Sequence, residues 1–229
     1  LLSISGTDSG ILLFNYADNG NYTTVLNSQV AVTYKINGNG ATKTAYIKNM
    51  GWHFARYNNT PYPDSPLYCI EPYRDFAAST SGNKVDRDVT LTGSGTTQGT
   101  NVWYALPQAR REAIGLVLLY SDQMWNHSIS VTNTSKANNP NVPLRIATQM
   151  LIYEIVCGMR EDGTFNRLSR NESGSDGAAF YNAGNASVSG FASNYNSLVS
   201  SVQNAMKIPS FTSKSSSNAP TISMTGDTT

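Results

Sequence analysis

The stretch Pro143–Arg160, PLRIATQMLIYEIVCGMR, decides how the second half of this chain folds. Its leading proline suits a first helical turn, where the missing N–H would have had no intrahelical partner. In helical register Ile146, Gln149, Met150, Tyr153, Val156 and Cys157 fall at i, i+3, i+4, i+7, i+10 and i+11, one continuous face. Leu144, Leu151, Ile152 and Ile155 make the other sides apolar too, so the helix is expected at the centre of its lobe. Gly158, or the Glu161–Asp162–Gly163 run, stops it.

Two more helices flank this one. Pro107 opens LPQARREAIGLVLLYSD, with Ala109, Ala113, Leu116, Val117 and Tyr120 as its apolar stripe. Another runs from about Gly190 to Lys207 and is ended by Pro209. The first half has a different period. Gly10–Tyr16, Gln29–Ile36 and Thr44–Lys48 are short, β-branched or aromatic runs separated by Asn/Gly turns. Val30, Val32, Tyr34 and Ile36 fall at alternate positions, which buries one face, and INGNG after them signals a hairpin. A Gly/Ser/Thr-rich stretch over 79–101 has room for one strand, Asp88–Thr92. The fold class is therefore α+β: a β-sandwich or barrel-like lobe over about 1–105 with an inserted or appended helical lobe over about 106–207. The Ser/Thr-rich residues 212–229 form a linker or the first strand of a following domain.

Composition narrows the function. The chain has 229 residues and 39% hydrophobic residues, enough for a proper core, but only 14% are charged. Asn, Ser, Thr and Gly take their place, which suits an extracellular surface protein. A net charge of +1 leaves no basic stripe for nucleic acid. No apolar run approaches the roughly 20 residues of a membrane span, and the sequence starts at LLSISG without a charged n-region, so any signal peptide is expected to have been removed or left out. A monomer is expected.

The two cysteines, Cys69 and Cys157, allow one disulfide at most. Together with His53 and His127 they lack the short spacings of a zinc site, so neither metal nor cofactor is expected. Cys69 lies in PLYCIEPYRDF, Pro66–Phe76, between Tyr68 and Ile70, with Glu71 and Pro72 behind. A disulfide to Cys157, a nucleophile activated by His53 or His127, and an inert core thiol are each open. On the central helix Gln149 sits among apolar residues, and burying its amide without partners would cost about 1–3 kcal/mol. Loop backbone is one partner that would satisfy it.

YCIEP and ATQMLIYE together resemble the motif pair of the thioester domains of Gram-positive bacterial surface adhesins. Tyr68, Cys69, Ile70, Glu71 and Pro72 match the family's aromatic-Cys-aliphatic-Glu-Pro segment. Thr148, Gln149, Ile152, Tyr153 and Glu154 match its Thr-Gln segment, with tyrosine at 153 where many members carry tryptophan. KIPSF, Lys207–Phe211, resembles the family's closing segment. The resemblance spans roughly residues 30–211 and implies a thioester domain over 1–211, with Cys69 and Gln149 joined after loss of ammonia. It also implies a cell-wall-attached surface protein that captures amines, such as lysine, on a host or neighbouring cell. Tyr68, Tyr153 and Trp52 are candidates to keep water off the bond. Glu71 and Glu154 are candidates to assist proton transfer; otherwise Glu71 anchors a turn and Glu154 faces solvent or an adjacent arginine.

Helix geometry separates this pairing from the disulfide. Gln149 and Cys157 lie eight residues apart, about 12 Å along a helix axis, whereas disulfide Cα atoms lie within roughly 7 Å. A Cys69 that touches Gln149 therefore does not bridge to Cys157. A noncovalent β-sandwich binding module with a Cys69–Cys157 disulfide is the alternative.

Overall fold

The computed structural model describes residues 24–36, 41–50, 53–57, 60–73, 102–129 and 139–208. The expected strands Gly10–Tyr16 and Asp88–Thr92, most of the INGNG turn, Trp52, Pro209–Phe211 and the 212–229 tail lie outside these residues. Among the described residues four strands come first, β1 (Thr24–Tyr34), β2 (Lys43–Met50), β3 (His53–Tyr57) and β4 (Thr60–Leu67). Five helices follow: α1 (Val102–Ala105), α2 (Gln108–Met124), α3 (Asn141–Val156), α4 (Ala179–Ser187) and α5 (Phe191–Met206). The fold class is α+β. The described strands make two separate antiparallel pairs, β1–β2 and β3–β4.

The alternation read in QVAVTYKI is present. Val30, Val32 and Tyr34 are buried, and so are Ala45 and Ile47 on the facing strand, while Tyr46 points outward. Register slips between Val25 and Val30, and the strand extends back to Thr24 beyond the Gln29 start expected from sequence. A lone two-stranded ribbon is marginal in water, and here helix α4 and the loop before it cover β1. Ser187 Oγ accepts a hydrogen bond from the Asn27 N–H at 2.9 Å. Ser175 Oγ accepts from the Thr33 N–H at 3.0 Å. Asn171 Nδ2 donates to the carbonyls of both Thr33 and Cys157, each at 2.9 Å, which ties β1 to the end of α3.

Helix α3 is the hub, packed against α2, α4 and α5. Every residue of it except Pro143 is buried, as its all-round apolar sequence requires. It starts two residues before the expected Pro143 because Asn139 and Asn141 organise the entry. Asn139 Oδ1 accepts from the Asn141 N–H at 2.9 Å. The Asn141 side chain in turn bridges to the Asn126 backbone just beyond α2. The other end is closed by Gly158 at φ 68°. The N–H of Met159 bonds the Glu154 carbonyl and that of Gly158 bonds Ile155, so two orphan carbonyls of the last turn are satisfied.

Helix α5 buries Phe191, Tyr195, Leu198 and Val202 along one stripe, close to the boundaries expected from sequence. Helix α4 was not expected. Its nine residues include Gly184 and two Asn, which lower helix propensity, and burial of Phe180, Ala183 and Gly184 holds it in place.

Candidate functional site

Strand β4 ends at Leu67, and the chain then passes across the middle of α3. There the Gln149 carboxamide pairs with the main chain of Cys69 much as a neighbouring strand would. The Cys69 N–H donates to Gln149 Oε1 at 2.9 Å, and Gln149 Nε2 donates to the Cys69 carbonyl at 2.7 Å. Gln149 is 4% exposed, so both bonds form out of bulk water, and the amide avoids the cost of burial without partners. The two residues singled out from sequence are thus adjacent, and the loop-backbone partner expected for Gln149 is Cys69 itself.

One stripe of α3 faces this pair. Arg145, Gln149 and Tyr153 are spaced i, i+4 and i+8, so successive turns stack them along one side of the helix. Arg145 Nη1 lies 3.4 Å from Gln149 Oε1. Its guanidinium lies over the Tyr68 ring, 4.0 Å from the centroid. The Tyr68 hydroxyl contacts Ser121 Oγ at 3.4 Å, and Ser121 Oγ is 2.7 Å from Thr148 Oγ1. Thr148 Oγ1 donates to the Leu144 carbonyl at 2.8 Å, so helix α2, helix α3 and the Cys69 segment are tied together around the site. Arg145 escaped sequence reasoning. The signal was its position one turn before Gln149 on an otherwise apolar helix.

The thiol is held from two sides. The Glu71 N–H donates to Cys69 Sγ at 3.4 Å, and the Tyr153 hydroxyl is hydrogen-bonded to the same sulfur. Burial pushes the Cys69 thiol above its ordinary value of 9.0, and these two donors oppose the rise without cancelling it. Burial also pushes the Tyr153 hydroxyl up, so it remains a neutral donor. The folded thiol holds its proton more tightly than the unfolded chain does. Its contribution to stability is therefore complete below 9.0 and is lost as pH rises through the higher folded value. In a Gln149→Ala chain, alkylation of Cys69 by iodoacetamide is expected to rise with a midpoint above 9.0. A midpoint below that value would contradict the buried setting of the sulfur.

Glu71 and Glu154 part company. Glu71 meets the thiol through its main-chain N–H, and its carboxylate accepts a hydrogen bond from the Tyr73 hydroxyl at 3.0 Å. Glu154, fully buried, points into a different cluster. It pairs with Arg160 Nε at 2.8 Å and accepts from the Tyr195 hydroxyl, 2.8 Å from each carboxylate oxygen. Tyr195 also accepts from Arg160 and Arg167. Of the roles open to Glu154, the arginine partnership is the one the geometry provides, and its full burial rules out the solvent-facing one.

Cys157 is buried at the end of α3, and both cysteines are free thiols with no disulfide between them. Burial pushes the Cys157 thiol well up. His127 meets Asp122, Nε2 to Oδ1 at 3.5 Å, in an exposed position after α2. The His53 side chain lies outside the described residues. Among the described residues no cluster of His, Cys, Asp and Glu could hold a metal ion, and no helix is long and apolar enough to cross a membrane. Compared with protein-family models, with curated proteins and with solved structures, the chain matches none.

Proposed function

We infer that this chain is a thioester domain of the kind carried by Gram-positive surface adhesins, in which Cys69 and Gln149 become covalently joined. The observation that carries this is the double hydrogen bond between the Gln149 carboxamide and the Cys69 main chain. An amide is a poor electrophile, and an intermolecular thiol would not displace its nitrogen at a useful rate. Holding both groups in one pocket supplies the effective concentration that such a reaction lacks. The half-buried Cys69 and the aromatic rings of Tyr68 and Tyr153 also fit a bond that has to be kept from water.

The function that follows is a single covalent capture rather than turnover. A lysine amine on a host or neighbouring-cell protein attacks the Gln149 carbonyl carbon, the C–S bond breaks, and Cys69 departs as a thiol carrying the amine proton. An isopeptide link remains. In this reading Glu71, whose N–H donates to the sulfur, accepts that proton on the way. The proposal includes a β-sandwich or barrel-like lobe built from the N-terminal half, display at the cell wall, and action as a monomer.

Intact mass of the untreated protein tests it. The expected result is a deficit of one ammonia, recovered as a methylamine adduct when that amine is added. A deficit of two hydrogens, reversed by a thiol reductant, would instead establish a Cys69–Cys157 disulfide and end this reading.

A further inference from the structure

We propose that Arg145 is the catalytic cation of the Cys69–Gln149 exchange, supplying with the Cys69 N–H the pair of donors that receives the negative charge of the tetrahedral intermediate on Oε1. This rests on the thioester reading above and goes beyond it by assigning the group that makes an amide reactive. Three observations carry it. Arg145 is 1% exposed on a helix whose other positions are mostly apolar, and a guanidinium is costly to bury for packing alone. Its Nη1 is directed at the carbonyl oxygen of the very amide that must react, at 3.4 Å. Its plane is fixed from the other side by the Tyr68 ring, which the Ser121–Thr148 pair anchors.

The two donors sit on the same oxygen but differ in length, 2.9 Å from the Cys69 N–H and 3.4 Å from Arg145. The longer contact belongs to the charged donor. A donor that is slack on a neutral carbonyl and tightens on an oxyanion binds the transition state more strongly than the ground state, which is the condition for catalysis. The sulfur has its own donors, Tyr153 and the Glu71 N–H, so the oxygen and the sulfur are served by separate groups.

In closure the Cys69 sulfur forms a bond to the Gln149 carbonyl carbon and the C=O π pair moves onto Oε1, opposite Arg145. Collapse restores the carbonyl and breaks the C–N bond. Nε2 leaves as ammonia with the thiol proton. Opening by an amine retraces the path: nitrogen bonds to the same carbon, Oε1 again carries the charge, and the sulfur leaves with a proton from the amine. Arg145 therefore accelerates both directions. Tyr68 acts through the guanidinium it stacks on and is a positioning residue for it.

The test refolds the wild-type chain and its variants from denaturant. Ammonia loss is followed by intact mass, then methylamine uptake by the closed fraction. Arg145→Met is expected to slow both steps by about 10²–10³-fold, the range for losing one oxyanion donor. Arg145→Lys, which keeps charge but loses the planar fork, is expected to fall between. Tyr68→Leu is expected to slow both steps less, and to add little on top of Arg145→Met because it acts through the same group. A folded Arg145→Met chain, judged by near-ultraviolet dichroism, with both rates within about three-fold of wild type would overturn the assignment. Should that variant fail to fold, wild-type rates in Arg145→Lys would overturn it instead. Wild-type protein at full sequence mass would overturn both this assignment and the thioester reading, whereas normal closure in wild type with unchanged variants overturns this one alone.

Discussion

Cys69→Ala is expected to return the chain to its full sequence mass and to remove methylamine uptake completely, while leaving the fold intact. The substitution deletes the sulfur but not the two main-chain bonds to Gln149, since donor and acceptor at residue 69 are both backbone groups. Among the described residues the thiol receives the Glu71 N–H and the Tyr153 hydroxyl, which are modest contributions. Gln149→Glu is expected to abolish the chemistry by another route. A carboxylate carbon resists thiol attack, and its second oxygen would face the Cys69 carbonyl where Nε2 now donates at 2.7 Å. That repulsion, offset in part by Arg145 one turn away, is expected to cost about 1–3 kcal/mol of stability, the usual penalty for a buried group deprived of its partner. Cys157→Ala should keep the ammonia deficit. Should Cys157→Ala abolish the deficit and Cys69→Ala preserve it, the bond has been assigned to the wrong cysteine.

Glu154→Leu is expected to destabilise the protein by about 3–5 kcal/mol, the cost of leaving a buried charge without its counter-ion. Arg160, 6% exposed, would keep its positive charge beside a hydrocarbon, and the Tyr195 hydroxyl would lose both carboxylate oxygens. For a chain of this size the melting temperature should fall by roughly 6–20 °C. Adding Arg160→Met in the same chain should recover part of the loss, because replacing a whole buried pair with apolar groups costs less than breaking it. Thermal unfolding of the single and double variants checks this. A single variant within about 1 kcal/mol of wild type would mean that the cluster contributes little.

The central helix was legible because its apolar residues surround the axis, a pattern that only a buried helix satisfies. The β1–β2 hairpin was legible for a similar reason, since its buried positions alternate strictly from Val30 to Tyr34. The adjacency of Cys69 and Gln149 came from two short motifs rather than from periodicity, which says nothing about what crosses a helix 80 residues away in the chain. Helix α4 stayed hidden because its stability is tertiary: AFYNAGNAS has little propensity of its own and depends on burying Phe180 and Ala183. Arg145 was illegible for a different reason, and the arginine offered as one alternative for Glu154 could not be singled out. A charged residue on an apolar helix can be read as an interruption or as a site, and the choice depends on which neighbours reach it. Tyr68 comes from a distant segment, while Arg160 and Tyr195 come from beyond the helix.

The Glu154 cluster has a consequence for angular tolerance. Helix α3 carries Gln149 on one side, and five residues later, about 140° further round the axis, Glu154 grips Arg160 and Tyr195. The hydrophobic effect that packs most of this helix is non-directional, whereas hydrogen bonds and ion pairs have preferred angles. At a radius of roughly 5–6 Å, a roll of about 10° displaces a side-chain group by about 1 Å, and misplacement on that scale is enough to slow a positioned reaction about 10²-fold. Directional bonds on the far side resist that roll. The ionic grip on Glu154 thus acts as a rotational stop, setting the azimuth at which Gln149 is presented to Cys69 from a place that touches neither.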